Sequence, residues 1–344
     1  MARREAVVCS SALLLTIATL LTPATAALPP PAPAPLPLAF VADIPLPGGP
    51  TRFDYQWLDA AKRRLYIAHL GDSSLVVFDL DAQRVIREIP GLPSVHGVVA
   101  APDRQLVLAT ATAEKTLVLL DDQTFEIKAR VPAGQYPNGL AYDPSSGKAF
   151  VSNNAGPGVA VVDLKTAQAL PSIELGGGAG NTQYDAGSGR VFAAVHGLPI
   201  LSEIDPAASK VVGRIALHGV STCHGLLVSA PERLAFAACR GSSPRLVVVD
   251  LQARRQLLTL PLPPDIDVLA FDAGLQRLYA ASENGTVVTF ALGPEHTLSE
   301  LGRGFLAPNA HTVAVDSTTH RVYFPLQSAG GHAVLRVMEP RAPN

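Results

Sequence analysis

Histidine and aspartate recur along this chain at nearly constant intervals. Asp54, His96, His224, Asp267 and His311 each stand five residues before a turn-opening position: Asp59, Ala101, Ser229, Asp272 and Asp316. Asn138 and Gly180 hold the same place before Asp143 and Asp185. The steps between the seven positions are 42, 42, 42, 44, 43 and 44 residues. Arranged as a circle, five neighbours read His224, Asp267, His311, Asp54, His96, an alternation of imidazole and carboxylate. These are ligand types for a divalent transition metal such as zinc, iron, manganese or copper. The expectation is that His96, His224 and His311 hold one ion, with Asp54 and Asp267 as further ligands or as hydrogen-bond partners that orient the rings. Without a metal, the same residues form acid–base pairs in which carboxylates raise the imidazole pKa values. A water-filled polar channel would also use such residues. The three readings stay open at this point.

A second set of polar residues follows the first by 15 or 16 positions: His69, Asn153, His196, Arg240 and Glu283, together with Thr112 and Gln327. Both sets are expected at one mouth, with Asn138 and Tyr136 completing a ligand-binding wall. Asn138 and Gly180 give that mouth a neutral, roomier side. Arg240 suits an acidic ligand group, because a guanidinium pairs with a carboxylate through two parallel hydrogen bonds.

What must position these residues is a repeated unit of strands. The stretch Ala133–Asn154 reads as a loop, an apolar strand, the turn Asp143-Pro144-Ser145-Ser146-Gly147 and a second apolar strand. A third strand in each unit ends on an aspartate, as at Asp79, Asp121, Asp163 and Asp250, where a turn former is expected. A period near 43 residues built only of strands is the pattern of a β-propeller. Seven marker positions predict seven blades, an all-β fold whose innermost strands bring the markers to one end of a central channel. The last unit has only three strands after His311, whereas Ala39–Pro47 reads as a fourth strand without a unit. The N-terminal strand is therefore expected to close the last blade.

Gly134, Pro137, Gly139 and Ala141, then Phe150–Asn154 and Val161–Asp163, carry a resemblance, as do Leu65–Ala68 and Val76–Asp79. Over about residues 39–338 the chain resembles the YVTN-repeat β-propeller family, the YncE-like secreted proteins of bacteria. The resemblance implies an extracytoplasmic seven-bladed propeller and assigns no activity. The chain departs from that family at the markers, where histidines and aspartates replace small or variable residues.

The 344 residues are 48% hydrophobic and only 16% charged, against about 25% charged in an average soluble chain. Sheets buried on both faces account for that. A net charge of −2 gives no basic footprint for nucleic acid. No Gly-x-Ser-x-Gly elbow, phosphate loop or two-histidine helix motif is present. Residues 1–26 read as a signal peptide: Arg3 and Arg4, the apolar run Ala12–Leu21, and the small-residue site Ala24-Thr25-Ala26. The apolar run is short for a membrane span. Residues 27–38 read as a proline-rich tether and 39–340 as the propeller.

A periplasmic or secreted monomer without a membrane span is expected. It would bind a metal ion, a small molecule or another exported protein. A metal-dependent lyase, hydrolase or oxygenase using the same site is the alternative, and a protein-interaction scaffold the third. Cys223 and Cys239 lie eight residues either side of Pro231, at the centre of a hairpin turn, and so face each other across two strands. A disulfide, two buried thiols or a thiolate metal site with His224 are the options.

Overall fold

The computed structural model describes residues 1, 2 and 33–341. Most of the expected signal peptide and tether, residues 3–32, falls outside the described residues. The propeller lies within the compact unit that begins at Ala34.

Seven four-stranded antiparallel sheets are arranged as blades. Their innermost strands are Gln56–Asp59, Val95–Ala101, Pro137–Asp143, Ala179–Asp185, Thr222–Ser229, Ile266–Asp272 and Ala314–Asp316. Each packs beside the next, and the last returns to the first, so the ring is closed. The two middle strands of a blade are almost continuously apolar and buried, as in Arg64–His69 and Ser74–Asp79. They are covered on both faces by neighbouring blades. The outer strands alternate exposed and covered residues, as in Lys210–Ala216.

Burial is organised by gaps between blades and not by one central core. Seven apolar clusters each join two adjacent blades. One, for example, sets Phe150 and Val159 of blade 3 against Val191 and Ala193 of blade 4. The turn aspartates act locally. The Asp79, Asp121, Asp163 and Asp250 carboxylates each accept from the backbone N–H groups two and three residues onward. Each thereby stabilises the turn into its outer strand.

The seventh blade has the order Ala314–Asp316, Arg321–Ala329, His332–Pro340, then Leu38–Pro45 as its outer strand. The N-terminal strand thus closes the last blade. It begins at Leu38, and part of the expected tether also makes contacts. The Arg303 N–H donates to the Ala34 carbonyl at 2.9 Å, and Leu36 packs against the apolar cluster between blades 6 and 7.

At the channel end opposite the markers, ion pairs tie neighbouring blades. The Arg63 guanidinium of blade 1 donates to the buried Asp316 carboxylate of blade 7 at 2.8 Å. Burial alone would raise the Asp316 pKa, but Arg63, Thr319 and the Thr318 N–H hold it below the ordinary carboxylate value of 3.8. A depressed folded-state pKa contributes stability that is present above the unfolded value and lost as pH falls through the folded one. Stability is therefore expected to fall with acidification below about pH 4. Asp316→Asn should flatten that fall in urea unfolding series at pH 7 and pH 3. An unchanged acid limb would show that the pair contributes nothing.

Candidate functional site

The markers face the channel because the backbone changes register at or beside them. In five blades the pairing of the innermost strand with its neighbour shifts at the marker: Val95 to Val98, Pro137 to Leu140, Ala179 to Thr182, Cys223 to Gly225, and Ile266 to Val268. An extra unpaired residue bends the strand and re-aims a side chain. The residue after the marker must then fit against the next blade. A Cβ on Gly97 would lie 2.4 Å from the Asn138 carbonyl oxygen, and one on Gly225 2.6 Å from that of Asp267. Gly180 is small for a related reason. A Cβ there would approach the His224 carbonyl oxygen to 2.9 Å, so the glycine admits the backbone of blade 5 and does not provide room for a ligand.

Five markers form one continuous polar arc. His224 Nε2 lies 3.1 Å from an Asp267 carboxylate oxygen, and His96 Nε2 lies 3.8 Å from one of Asp54. Between these pairs, Asp54, Asp267 and His311 converge, each offering one atom within 4.8 Å of the other two. All three residues are buried, His311 completely. The ring tautomer of His311 follows from its hydrogen bond. Nδ1–H donates to the Asn309 carbonyl at 2.9 Å, which leaves a lone pair on Nε2. Nε2 is buried and without a partner among the described residues, as is Asp54 Oδ1. His96 repeats the device, its Nδ1–H donating to the Ser94 carbonyl at 2.8 Å.

His224 differs from the other two histidines. Its Nδ1 lies 2.9 Å from His196 Nε2 while its own Nε2 faces Asp267. In the arrangement that satisfies both contacts, His196 donates to His224 and His224 donates to Asp267. The expected set of three histidines around one point is therefore not what the fold assembles. One histidine, His311, joins two aspartates, while His96 and His224 flank them.

The electrostatics follow from crowding charge in a buried mouth. Burial, then the neighbouring negative charge of Asp267, pushes the Asp54 carboxyl well above the usual range. Burial would also raise Asp267, but the hydrogen bond from His224, with Arg240 beside it, pulls it below the usual value. Burial lowers His96 and His311, with Arg52 adding to the effect. His196 falls to about 4, through burial, His224 and Arg240. These buried imidazoles are neutral near pH 7.

A cavity of about 330 Å³ opens over the arc, lined by Arg52, Asp54, Tyr55, His96, Tyr136, Asn138, Asn154, Ala155, His224, Arg240, Asp267 and Glu283. A second hollow of about 540 Å³ shares Arg52, His96 and Tyr136 with it. Not every residue expected at the mouth lines it; Gln327, for one, accepts from the Asn309 side chain. His69 is wholly buried, stacked on Phe53 at 4.0 Å between ring centres and hydrogen-bonded to Thr51. Asn153 accepts from the Gln135 and Tyr136 N–H groups and so shapes the loop that carries Tyr136, while Asn154 lines the cavity.

Arg52 and Tyr55 were not singled out from the sequence. The Arg52 guanidinium clasps Glu283 with two hydrogen bonds of 2.7 and 2.8 Å. Tyr55 reaches across the channel to within 3.4 Å of His224 and lines both the mouth and the narrower space beneath it. A signal for Arg52 was available. It stands two residues before its marker, as Tyr136 stands before Asn138 and Asn309 before His311.

A disulfide joins Cys223 to Cys239, which lie opposite each other across the two inner strands of blade 5. Each cysteine immediately precedes a residue of the mouth, His224 and Arg240. Closing a loop of sequence separation 16 removes unfolded-state entropy worth about 3 kcal/mol. Replacing both cysteines by alanine is expected to lower stability by about that amount. A urea midpoint equal to that of the parent would contradict it.

No family model matches the chain, and no curated protein matches it in sequence. Solved structures do match. One is Kuenenia stuttgartiensis hydrazine synthase, 14% identical, with a TM-score of 0.71 over 84% of this chain and 96% of that one. Another is the WD40 repeats of RRP9, 11% identical, with a TM-score of 0.70 over 88% of this chain and 100% of that one. At such identities the likeness concerns the fold alone. What the chain shares with these structures is the seven-bladed β-propeller.

Proposed function

We propose that this protein binds one divalent transition-metal cation at the mouth of its channel, through Asp54, Asp267 and His311. Two observations carry the reading together: Asp54, Asp267 and His311 each offer one ligand atom within 4.8 Å of the others, and Asp54 Oδ1 and His311 Nε2 are buried without a partner among the described residues. A buried polar atom without a partner costs about 1–3 kcal/mol, more when charged. A cation would satisfy both atoms and relieve the repulsion between the two carboxylates. Ligand atoms bound at about 2.0–2.2 Å stand at most about 4.4 Å apart across the ion, so small side-chain motions suffice. One imidazole with two carboxylates suits zinc, manganese or iron. Three protein ligands leave coordination positions free toward the cavity.

The wider reading is that of an exported, YncE-like propeller in the periplasm or outside the cell. It rests on the leader-like residues 1–26 and on the repeat motifs quoted above. Among the described residues no helix is long and apolar enough to cross a membrane. A second reading makes the site catalytic, a metal-dependent lyase, hydrolase or oxygenase. The His196–His224–Asp267 chain supports it, because an imidazole bonded to a ligand carboxylate can move a proton beside open coordination positions. Calorimetric titration of the metal-stripped protein with zinc and manganese tests the main reading. One equivalent bound with micromolar or tighter affinity is expected, and no saturable uptake of either metal would overturn it.

A further inference from the structure

We infer that the mouth takes a small organic monocarboxylate, its carboxylate placed between Arg240 and the open face of the cation. The inference rests on the metal reading above and adds the class of ligand. Two guanidinium groups line the cavity, and they differ in what remains free on them. Arg52 is engaged by both oxygens of Glu283 and by the Asn309 side chain at 3.3 Å. Arg240 makes one long contact, 3.4 Å to Asp267, and its buried Nε has no partner among the described residues. Its side chain is 38% exposed, so the terminal nitrogens of its fork are open to a carboxylate, the acceptor that matches them with two parallel bonds.

The charge of the wall agrees. Arg52, Arg240 and a divalent cation face three carboxylates, Asp54, Asp267 and Glu283, which leaves one positive charge to be neutralised by a ligand. The third argument is volume. A cavity of about 330 Å³ lies at the small end of small-molecule pockets, which run about 300–1,000 Å³. On the wall away from the cation, buried Asn138 Oδ1 is unpartnered, an acceptor for a ligand hydroxyl or amide. Tyr136 stands half-exposed at the rim, with its hydroxyl 3.3 Å from His96 Nε2. The fit is to a compact polar acid, not to a polyanion or a neutral apolar molecule.

The probes are lactate and benzoate, with lactamide and benzamide as neutral counterparts, titrated into zinc-loaded protein. Zinc uptake is measured first and separately, so failure of the metal reading is seen as absent uptake, which overturns both proposals. With zinc bound, at least one carboxylate is expected to bind at least tenfold more tightly than its amide. Arg240→Gln should weaken carboxylate binding about 10–100-fold, and Arg240→Lys should restore part of it. Zinc uptake by each variant reports that its site is still assembled. Acid and amide binding equally, neither carboxylate binding, or Arg240→Gln binding carboxylate like the parent would each overturn the inference while leaving the metal reading in place.

Discussion

Removing Leu38–Pro45 is expected to leave the protein aggregated, whereas a chain beginning at Pro33 should be soluble and folded. The strand pairs with His332–Pro340 from Leu38 opposite Pro340 to Pro45 opposite Val334. Without it, the third strand of blade 7 becomes an unpaired edge, a template for association with other chains. Side chains are lost as well as hydrogen bonds. Leu38 is buried between blades 6 and 7, and Asp43 receives two hydrogen bonds from Arg336, of 2.8 and 2.7 Å. A domain has only about 5–15 kcal/mol of net stability. A buried leucine at about 2 kcal/mol and a row of hydrogen bonds at about 1 kcal/mol each consume most of that. The check is the soluble fraction by size-exclusion chromatography of the two truncations. Equal monomer recovery would mean that the ring holds without its N-terminal closure.

The second large effect concerns the metal. His311→Ala and Asp54→Asn are each expected to weaken zinc binding by more than about 100-fold, the upper end of what loss of an outer hydrogen-bond partner costs. His224→Ala should cost about 10–100-fold, because His224 holds Asp267 and stands outside the converging group of Asp54, Asp267 and His311. His296, in the turn Pro294–His296 away from the channel, serves as the silent control. Asp54→Asn has a second signature. Burial and Asp267 make a charge on Asp54 unfavourable in the metal-free protein, so its removal should raise the melting temperature of that form by about 2 °C or more. A variant that binds less metal yet melts higher separates a ligand from a structural side chain. If both variants bind zinc like the parent, the arc is a polar lining and nothing more.

The ring was legible in the sequence because the marker period and the missing last strand are chain-length properties, independent of side-chain packing. The alternating arc was legible for the same reason. Less visible was how the register shifts and local hydrogen bonds orient each ring. The carbonyls of Ser94 and Asn309 fix the tautomers of His96 and His311, while His224 is taken up by His196. That is why three equivalent positions have unequal roles. Strand-end residues were the least legible. A one-residue difference decides whether Asn153 supports a loop or Asn154 lines the cavity, and Phe53 draws His69 into the core. Tyr55 follows its marker and so escapes a reading of the markers alone, whereas Arg52 shares the offset of Tyr136 and Asn309 and could have been found by it.

The central claim is a cation held by Asp54, Asp267 and His311. Crystals of the protein grown with one equivalent of zinc, measured on both sides of the zinc absorption edge, test it most directly. The account predicts a single strong anomalous peak within about 2.0–2.2 Å of one carboxylate oxygen of each aspartate and of His311 Nε2. An empty arc at full zinc occupancy elsewhere, or a peak bound by other side chains, would contradict it.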